Sequence, residues 1–172
     1  MVISGCIIYP IRLFGLAVVK NTQRRVNMEK EFFMGSVDHQ LDDKNRLRIP
    51  SKYKKLLVGE DGKKTYSFMR GKNGCIFVMD DETLQEKLRY AAIGSISEAS
   101  PESRALFGWI FPAEEDAQGR VTLPTPLKMV AGITKDIVTV GHGDRLEIWD
   151  KERYYNYISN VAFDDIFGIL RI

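Results

Sequence analysis

One nine-residue pattern occurs twice in this chain of 172 residues, and that repetition constrains the fold more than any other feature. Asp42-Asp43-Lys44-Asn45-Arg46-Leu47-Arg48-Ile49-Pro50 aligns without a gap on Asp116-Ala117-Gln118-Gly119-Arg120-Val121-Thr122-Leu123-Pro124 at an offset of 74. Both read D-x-x-[NG]-R-apolar-x-apolar-P. A second block follows each copy. Gly71-Lys72-Asn73-Gly74-Cys75-Ile76-Phe77-Val78-Met79-Asp80 aligns on Gly141-His142-Gly143-Asp144-Arg145-Leu146-Glu147-Ile148-Trp149-Asp150 at an offset of 70. The first copy therefore carries four extra residues, placed around the turn-rich stretch 58–62, where added length is tolerated. Two blocks in one order at nearly one spacing indicate an internal duplication. Two copies are too few for a solenoid; they imply two units packed about a pseudo-twofold axis.

Each copy has the same local grammar. Residues 35–41 alternate weakly and read as a strand. Asp42 to Asn45 form a turn, with Asn45 and its counterpart Gly119 at a position that calls for positive φ. Arg46 to Ile49 read as a strand of period two, closed by Pro50, which cannot continue a ladder. A short helical turn over 52–57, a strand over 66–69, a turn over 72–74 and a strand over 75–79 follow. Asp80 caps a helix with Leu84, Leu88 and Ala91 on one face. The second copy repeats this with strands over 137–140 and 146–149 and a cap at Asp150 before Tyr154, Tyr157 and Ile158. Between the copies, Ser100 caps a helix that has Pro101 at its first position.

With 44% hydrophobic and 28% charged residues, the chain is a globular protein rather than a disordered one. Its net charge of +2 says little about partners; the distribution says more. Residues 1–27 hold four bases and no acids, leaving 21 bases against 23 acids from Met28 onward. Contact with nucleic acid must therefore rest on a local patch. Cys6 and Cys75 form no C-x-x-C pattern, and His39 and His142 lie far apart. No metal site, cofactor or disulfide is expected, and a reducing cytoplasm fits. The apolar leader 1–19 is broken by Pro10 and Arg12, with its positive charge in the middle and behind. That is the wrong order for a signal peptide and too interrupted for a membrane span. Residues 1–31 are expected to lie outside the fold, with Met28 or Met34 as the native start.

The motif itself has a chemistry. Successive strand residues face opposite ways, so Arg46 and Arg48 share one face while Leu47 and Ile49 can enter a core. Residues 42–55 hold six bases: Lys44, Arg46, Arg48, Lys52, Lys54 and Lys55. The equivalent stretch of the second copy, 116–129, holds only Arg120 and Lys128. A two-stranded ribbon fits the DNA major groove, its arginines suited to guanine edges and its lysines to phosphates. The expectation is that Arg46, beside Arg48, reaches bases, that Lys44, Lys52 and Lys54 contact phosphate, and that Arg120 pairs mainly with Asp116 or a neighbouring subunit. Asp42 is expected to accept the turn's N–H groups or to hold the arginine by charge. No nucleophile–base or metal spacing points to an enzyme. Both histidines read as turn or surface residues, Gly141-His142-Gly143 as a hairpin turn, and Trp109 and Trp149 as core. RNA is disfavoured because no aromatic platform accompanies the bases.

The paired D-x-x-x-R hairpins resemble the MraZ family of bacterial regulators, built from two AbrB-like swapped-hairpin units. Residues 34–41 resemble that family's opening strand, 101–105 its middle helix and 138–150 its second half; the match spans about 32–165. The resemblance implies an α+β, mostly β fold of two repeated units, 32–99 and 100–172, sharing a β core with flanking helices. It further implies a cytoplasmic, nucleoid-associated protein that binds double-stranded DNA and assembles into homo-oligomeric rings. Its expected targets are repeated boxes upstream of the division and cell-wall genes that include its own. The family's motif arginines fall on Arg46 and Arg120. Asn45 replaces the usual glycine, 1–27 has no counterpart, and the tail after Asp165 is short. A scaffold of the same fold that binds protein instead of DNA is the alternative.

Overall fold

Apolar runs bounded by turn residues become strands, and polar-capped amphipathic runs become helices. The computed structural model describes residues 32–57, 65–94 and 100–170; the leader 1–31 and the insertion around 58–62 lie outside them. Among the described residues eight strands form: β1 Ser36–Gln40, β2 Arg46–Leu47, β3 Tyr66–Arg70, β4 Ile76–Asp80, β5 Ile110–Ala113, β6 Val121–Thr122, β7 Asp136–His142 and β8 Arg145–Asp150. Helices are α1 Ser51–Lys54, continued by a 3-10 turn over Lys55–Leu57, α2 Asp81–Gly94, α3 Pro101–Gly108, α4 Thr125–Ala131, α5 Lys151–Ile158 and α6 Phe163–Leu170. The fold is α+β, with strands dominating.

The caps sit where the sequence puts them. Ser100 Oγ accepts from the Ser103 N–H at 3.1 Å, with Pro101 in the first turn. Asp80 Oδ1 accepts from the Thr83 N–H at 2.8 Å, and Asp150 Oδ1 from the Arg153 N–H at 3.2 Å. Each of these satisfies one orphan donor of a first helical turn. β2 is shorter than the four residues expected. Pro50 and Pro124 stand immediately before α1 and α4, where a residue without an N–H can precede a helix but not continue a ladder.

Six strands form one antiparallel sheet in the order β1-β7-β8-β4-β3-β5, and β2 pairs with β6 in a separate ribbon. The first strand of each copy is seated in the other: β1 pairs with β7, and β5 with β3. Both contacts between equivalent strands are centred on repeat-related residues. Phe77 faces Glu147 where β4 meets β8, and Leu47 faces Val121 where β2 meets β6. An antiparallel pair centred this way is what a pseudo-twofold axis produces. The capping helices also cross over. Lys87 of α2 pairs with Asp144 in the β7–β8 turn at 2.5 Å, and Asn73 in the β3–β4 turn donates to Tyr157 of α5 at 3.0 Å.

One sheet face and the ribbon's apolar face share the main core. Leu47, Ile49, Val121 and Leu123 of the ribbon segments pack with Phe68, Ile76, Val78, Leu146 and Ile148 of the sheet. The opposite face carries a smaller cluster of Cys75, Val138 and Trp149, with Phe77, Val140 and Tyr154 against it. Trp109 is only half-buried, at the margin of the main core. His39 is not in a turn: it lies on β1, half-buried, with Nε2 2.7 Å from Thr139 Oγ1. Burial lowers its pKa despite the neighbouring Asp38. Cys75 is a free, buried thiol whose pKa burial pushes up to about 12. Among the described residues, no helix is long and apolar enough to cross a membrane.

Candidate nucleic-acid interface

The two D-x-x-x-R motifs meet at the β2–β6 ribbon. In each, the aspartate organises the turn that leads into the strand. Asp42 Oδ1 accepts the backbone N–H groups of Lys44 and Arg46, both at 2.9 Å. Asp116 Oδ1 accepts those of Gln118 and Arg120 at 2.9 and 3.0 Å. The turn closes through Asn45 N–H to the Asp42 carbonyl and Gly119 N–H to the Asp116 carbonyl. Asn45 takes φ +57° and Gly119 φ +70°. Asparagine and glycine are the residues that tolerate this left-handed conformation at least cost.

The second carboxylate oxygen of each aspartate holds an arginine by its side edge. Asp42 Oδ2 accepts from Arg46 Nε at 2.8 Å and Nη2 at 2.7 Å. Asp116 Oδ2 accepts from Arg120 Nε at 2.9 Å and Nη2 at 2.8 Å. Longer contacts cross the axis: Arg46 Nη1 lies 3.5 Å from Asp116 Oδ2 and Arg120 Nη1 3.8 Å from Asp42 Oδ2. The result is a quartet of two arginines and two aspartates in near-symmetry. The arginine side-chain bonds, followed by the backbone N–H bonds, hold both carboxyls at about 2. The same partnership raises the Arg46 pKa.

The guanidinium has two donor edges. The Nε/Nη2 edge is fixed on the arginine's own aspartate, and Nη1 makes the longer contact with the other copy's aspartate. The Arg46 and Arg120 side chains keep 22% and 25% of their surface, so neither is sealed off. The ribbon's other face is the buried one, with Leu47, Ile49, Val121 and Leu123 all under 3% exposed.

The remaining bases divide. Lys44 and Arg48 are exposed. Lys52 is exposed too; its Nζ sits 3.4 Å from the Ser36 carbonyl and 4.6 Å from the centre of the Tyr53 ring. Lys54 is turned inward, toward the second motif, 3.5 Å from Glu115 Oε1 and 3.4 Å from the Gly119 carbonyl. Lys128, at the repeat position of Lys54, donates to Asn45 Oδ1 at 2.5 Å. Each helix lysine thus braces the other copy's turn. Sequence reasoning counted Lys128 but gave it no part, although its repeat position marked it. The two motifs fold alike, and Arg120 pairs with Asp116 as expected. Both arginines are held by their own aspartate in the same way, and the copies differ in the bases around them. Among the described residues, no group of His, Cys, Asp and Glu side chains is arranged to hold a metal ion.

Comparison with known proteins places the chain in a family. The family model of the MraZ protein matches residues 111–167. The transcriptional regulator MraZ of Natranaerobius thermophilus is 38% identical over 128 residues, covering 73% of this chain and 85% of that protein. The transcriptional regulator MraZ of Micrococcus luteus is 33% identical over 130 residues, covering 74% of this chain and 87% of that protein. With identity of this level over about three quarters of this chain and most of each relative's length, the chain belongs to the MraZ family.

Proposed function

We propose that this protein is a transcription regulator that binds double-stranded DNA through the outer face of the β2–β6 ribbon. The observation that carries the reading is the pair of guanidiniums on a two-stranded ribbon, each fixed along one edge on its own aspartate and still 22% and 25% exposed. A ribbon of this width enters a major groove, and an arginine end edge matches the O6/N7 pair of guanine. Arg46 and Arg120 are the base-reading candidates. Arg48 extends the same face, and Lys44 and Lys52 supply phosphate contacts. Lys54, engaged with Glu115 and Gly119, serves chiefly to hold the second turn. Asp42, Asn45, Asp116 and Gly119 set the geometry. The names of the relatives support a regulatory role.

The finer reading continues from there. The exchange of first strands between copies supports two AbrB-like swapped-hairpin units, 32–99 and 100–172, that close only together. Homo-oligomeric rings, a cytoplasmic, nucleoid-associated location and boxes upstream of the division and cell-wall genes complete the proposal, with no catalytic role. One observation favours the rival, a protein-binding scaffold: Asp42 and Asp116 neutralise much of the arginine charge. Salt dependence separates the two. A mobility shift with the gene's own upstream region should give a log-affinity falling linearly with log salt, with a slope near −0.9 per phosphate contact. Affinity that ignores salt, or fails to distinguish that region from random duplex, would refute the DNA reading.

A further inference from the structure

The second copy departs from the first at three consecutive outward positions of one strand. Where Cys75, at the entry to β4, and Phe77 and Met79 of β4 lie on the sheet face away from the ribbon, β8 places Arg145, Glu147 and Trp149. Charged groups under a helix are costly unless paired, so the substitution calls for a purpose. The structure opens a cavity there of about 280 Å³ between the sheet, the Lys72–Cys75 turn and α5. Its walls are aromatic. Trp149 stacks on Tyr157 with ring centres 5.1 Å apart and lies 5.8 Å from Tyr154, while Phe77 lines the floor. Its polar groups converge. The Arg145 guanidinium sits 4.4 Å over the Phe77 ring and donates to Glu147 Oε1 at 3.1 Å, and Trp149 Nε1 donates to Glu147 Oε2 at 3.1 Å. Arg145 Nε is buried without a hydrogen-bond partner. Its Nη1 lies 3.4 Å from Asp144 Oδ1, and the side chain keeps 24% of its surface at the cavity wall. Lys72 and His142 add basic groups to the lining.

We propose that this cavity binds a small planar aromatic carboxylate. The ring would lie among Trp149, Tyr154 and Tyr157, and the carboxylate would meet the exposed part of the Arg145 guanidinium beside Lys72. A cavity of roughly 150 Å³ accepts benzene, so the volume here suits one or two fused rings with a short acidic group. The site is distinct from the ribbon, because alternation along β4 and β8 turns these residues away from the core the ribbon caps.

The test uses the full chain and 1-naphthoate as probe, followed by calorimetry and by the indole N–H signals in NMR. The chain has two tryptophans, and Trp109→Phe identifies which signal belongs to Trp149. Saturable binding at about 1 mM or tighter is expected for a ligand of this size, moving the Trp149 signal and not that of Trp109. The neutral analogue 1-naphthalenemethanol should bind about 10-fold or more weaker, and Arg145→Gln should weaken naphthoate by a similar factor, as for loss of a charge-assisted hydrogen bond. Tyr157→Ala, at a position already half exposed, should weaken it about 2- to 10-fold. If Arg145→Gln fails to fold, Tyr157→Ala and the neutral analogue still decide. No saturation by 10 mM, equal binding of the alcohol, or a shift confined to Trp109 would overturn the proposal.

Discussion

Substituting Gly141 by alanine probes the strand exchange on which the fold depends. Gly141 lies in β7 where the chain leading into β1 passes over it. Its N–H donates to the Gly35 carbonyl at 2.7 Å. A Cβ built there would stand 2.4 Å from both the Met34 nitrogen and the Phe33 carbonyl carbon. Those are backbone atoms and cannot rotate away, so the segment must lift by about 1 Å to reach ordinary contact distance. Lifting it strains the paired bonds between Phe33 and Gly143, at 2.8 and 3.2 Å. It also unseats the Phe33 ring, 2% exposed and edge-on to Tyr53. Overpacking of this kind costs about 1–3 kcal/mol, and weakening the two hydrogen bonds adds about 0.5–1.5 kcal/mol each. A loss of about 2–6 kcal/mol lowers Tm by roughly 4–24 °C in a chain of this size. Urea titration and calorimetry would measure it. Gly108→Ala is the control, because a Cβ there meets nothing within 4 Å. If Gly141→Ala is as stable as Gly108→Ala, β1 is not seated on β7 as described.

Other consequences can be checked with the same methods. Leu123, fully buried beneath the ribbon, should cost about 2–5 kcal/mol on truncation to alanine. Asp80→Ala removes the α2 cap and should cost about 0.5–2 kcal/mol, read from the denaturation midpoint. Asp42 and Asp116 are held at about 2 against an ordinary 3.8. Because their folded values are depressed, their contribution is complete above pH 4 and lost as pH falls toward 2. Asp42→Asn should flatten that acid limb. His39, lowered by burial, adds a milder loss that begins as pH drops below about 6.5, and His39→Gln should remove it.

The repeat made much of this legible. Asp42, Asn45, Arg46 and Pro50 matched Asp116, Gly119, Arg120 and Pro124 because one backbone turn demands the same chemistry twice. The caps at Asp80, Ser100 and Asp150 were readable because orphan N–H groups need a side-chain acceptor at a fixed spacing. What sequence could not show was which copy each strand pairs with. The alternation in 36–40 is equally compatible with pairing inside its own half, and only packing seats β1 on β7. The same gap concealed the cross-axis partners. Counting bases singled out Arg46, but Arg120 holds an equivalent place, and no local pattern brings Lys54 beside Gly119. His39 lies in the strand expected over 35–41, but its partner Thr139 is 100 residues away and out of reach of any local pattern.

The central claim is that the two motif arginines read DNA from one ribbon. Its most direct test is fluorescence anisotropy with the gene's upstream region against a scrambled duplex, on folded Arg46→Ala and Arg120→Ala proteins of parental size. Losing a bidentate guanine contact weakens the specific complex by about 5- to 150-fold per site while leaving scrambled-duplex binding largely intact. Each variant should therefore lose specificity, with the larger loss for Arg46, which has Lys44 and Arg48 beside it. Parental affinity and specificity in both variants would contradict the account and leave the D-x-x-x-R motif as turn chemistry alone.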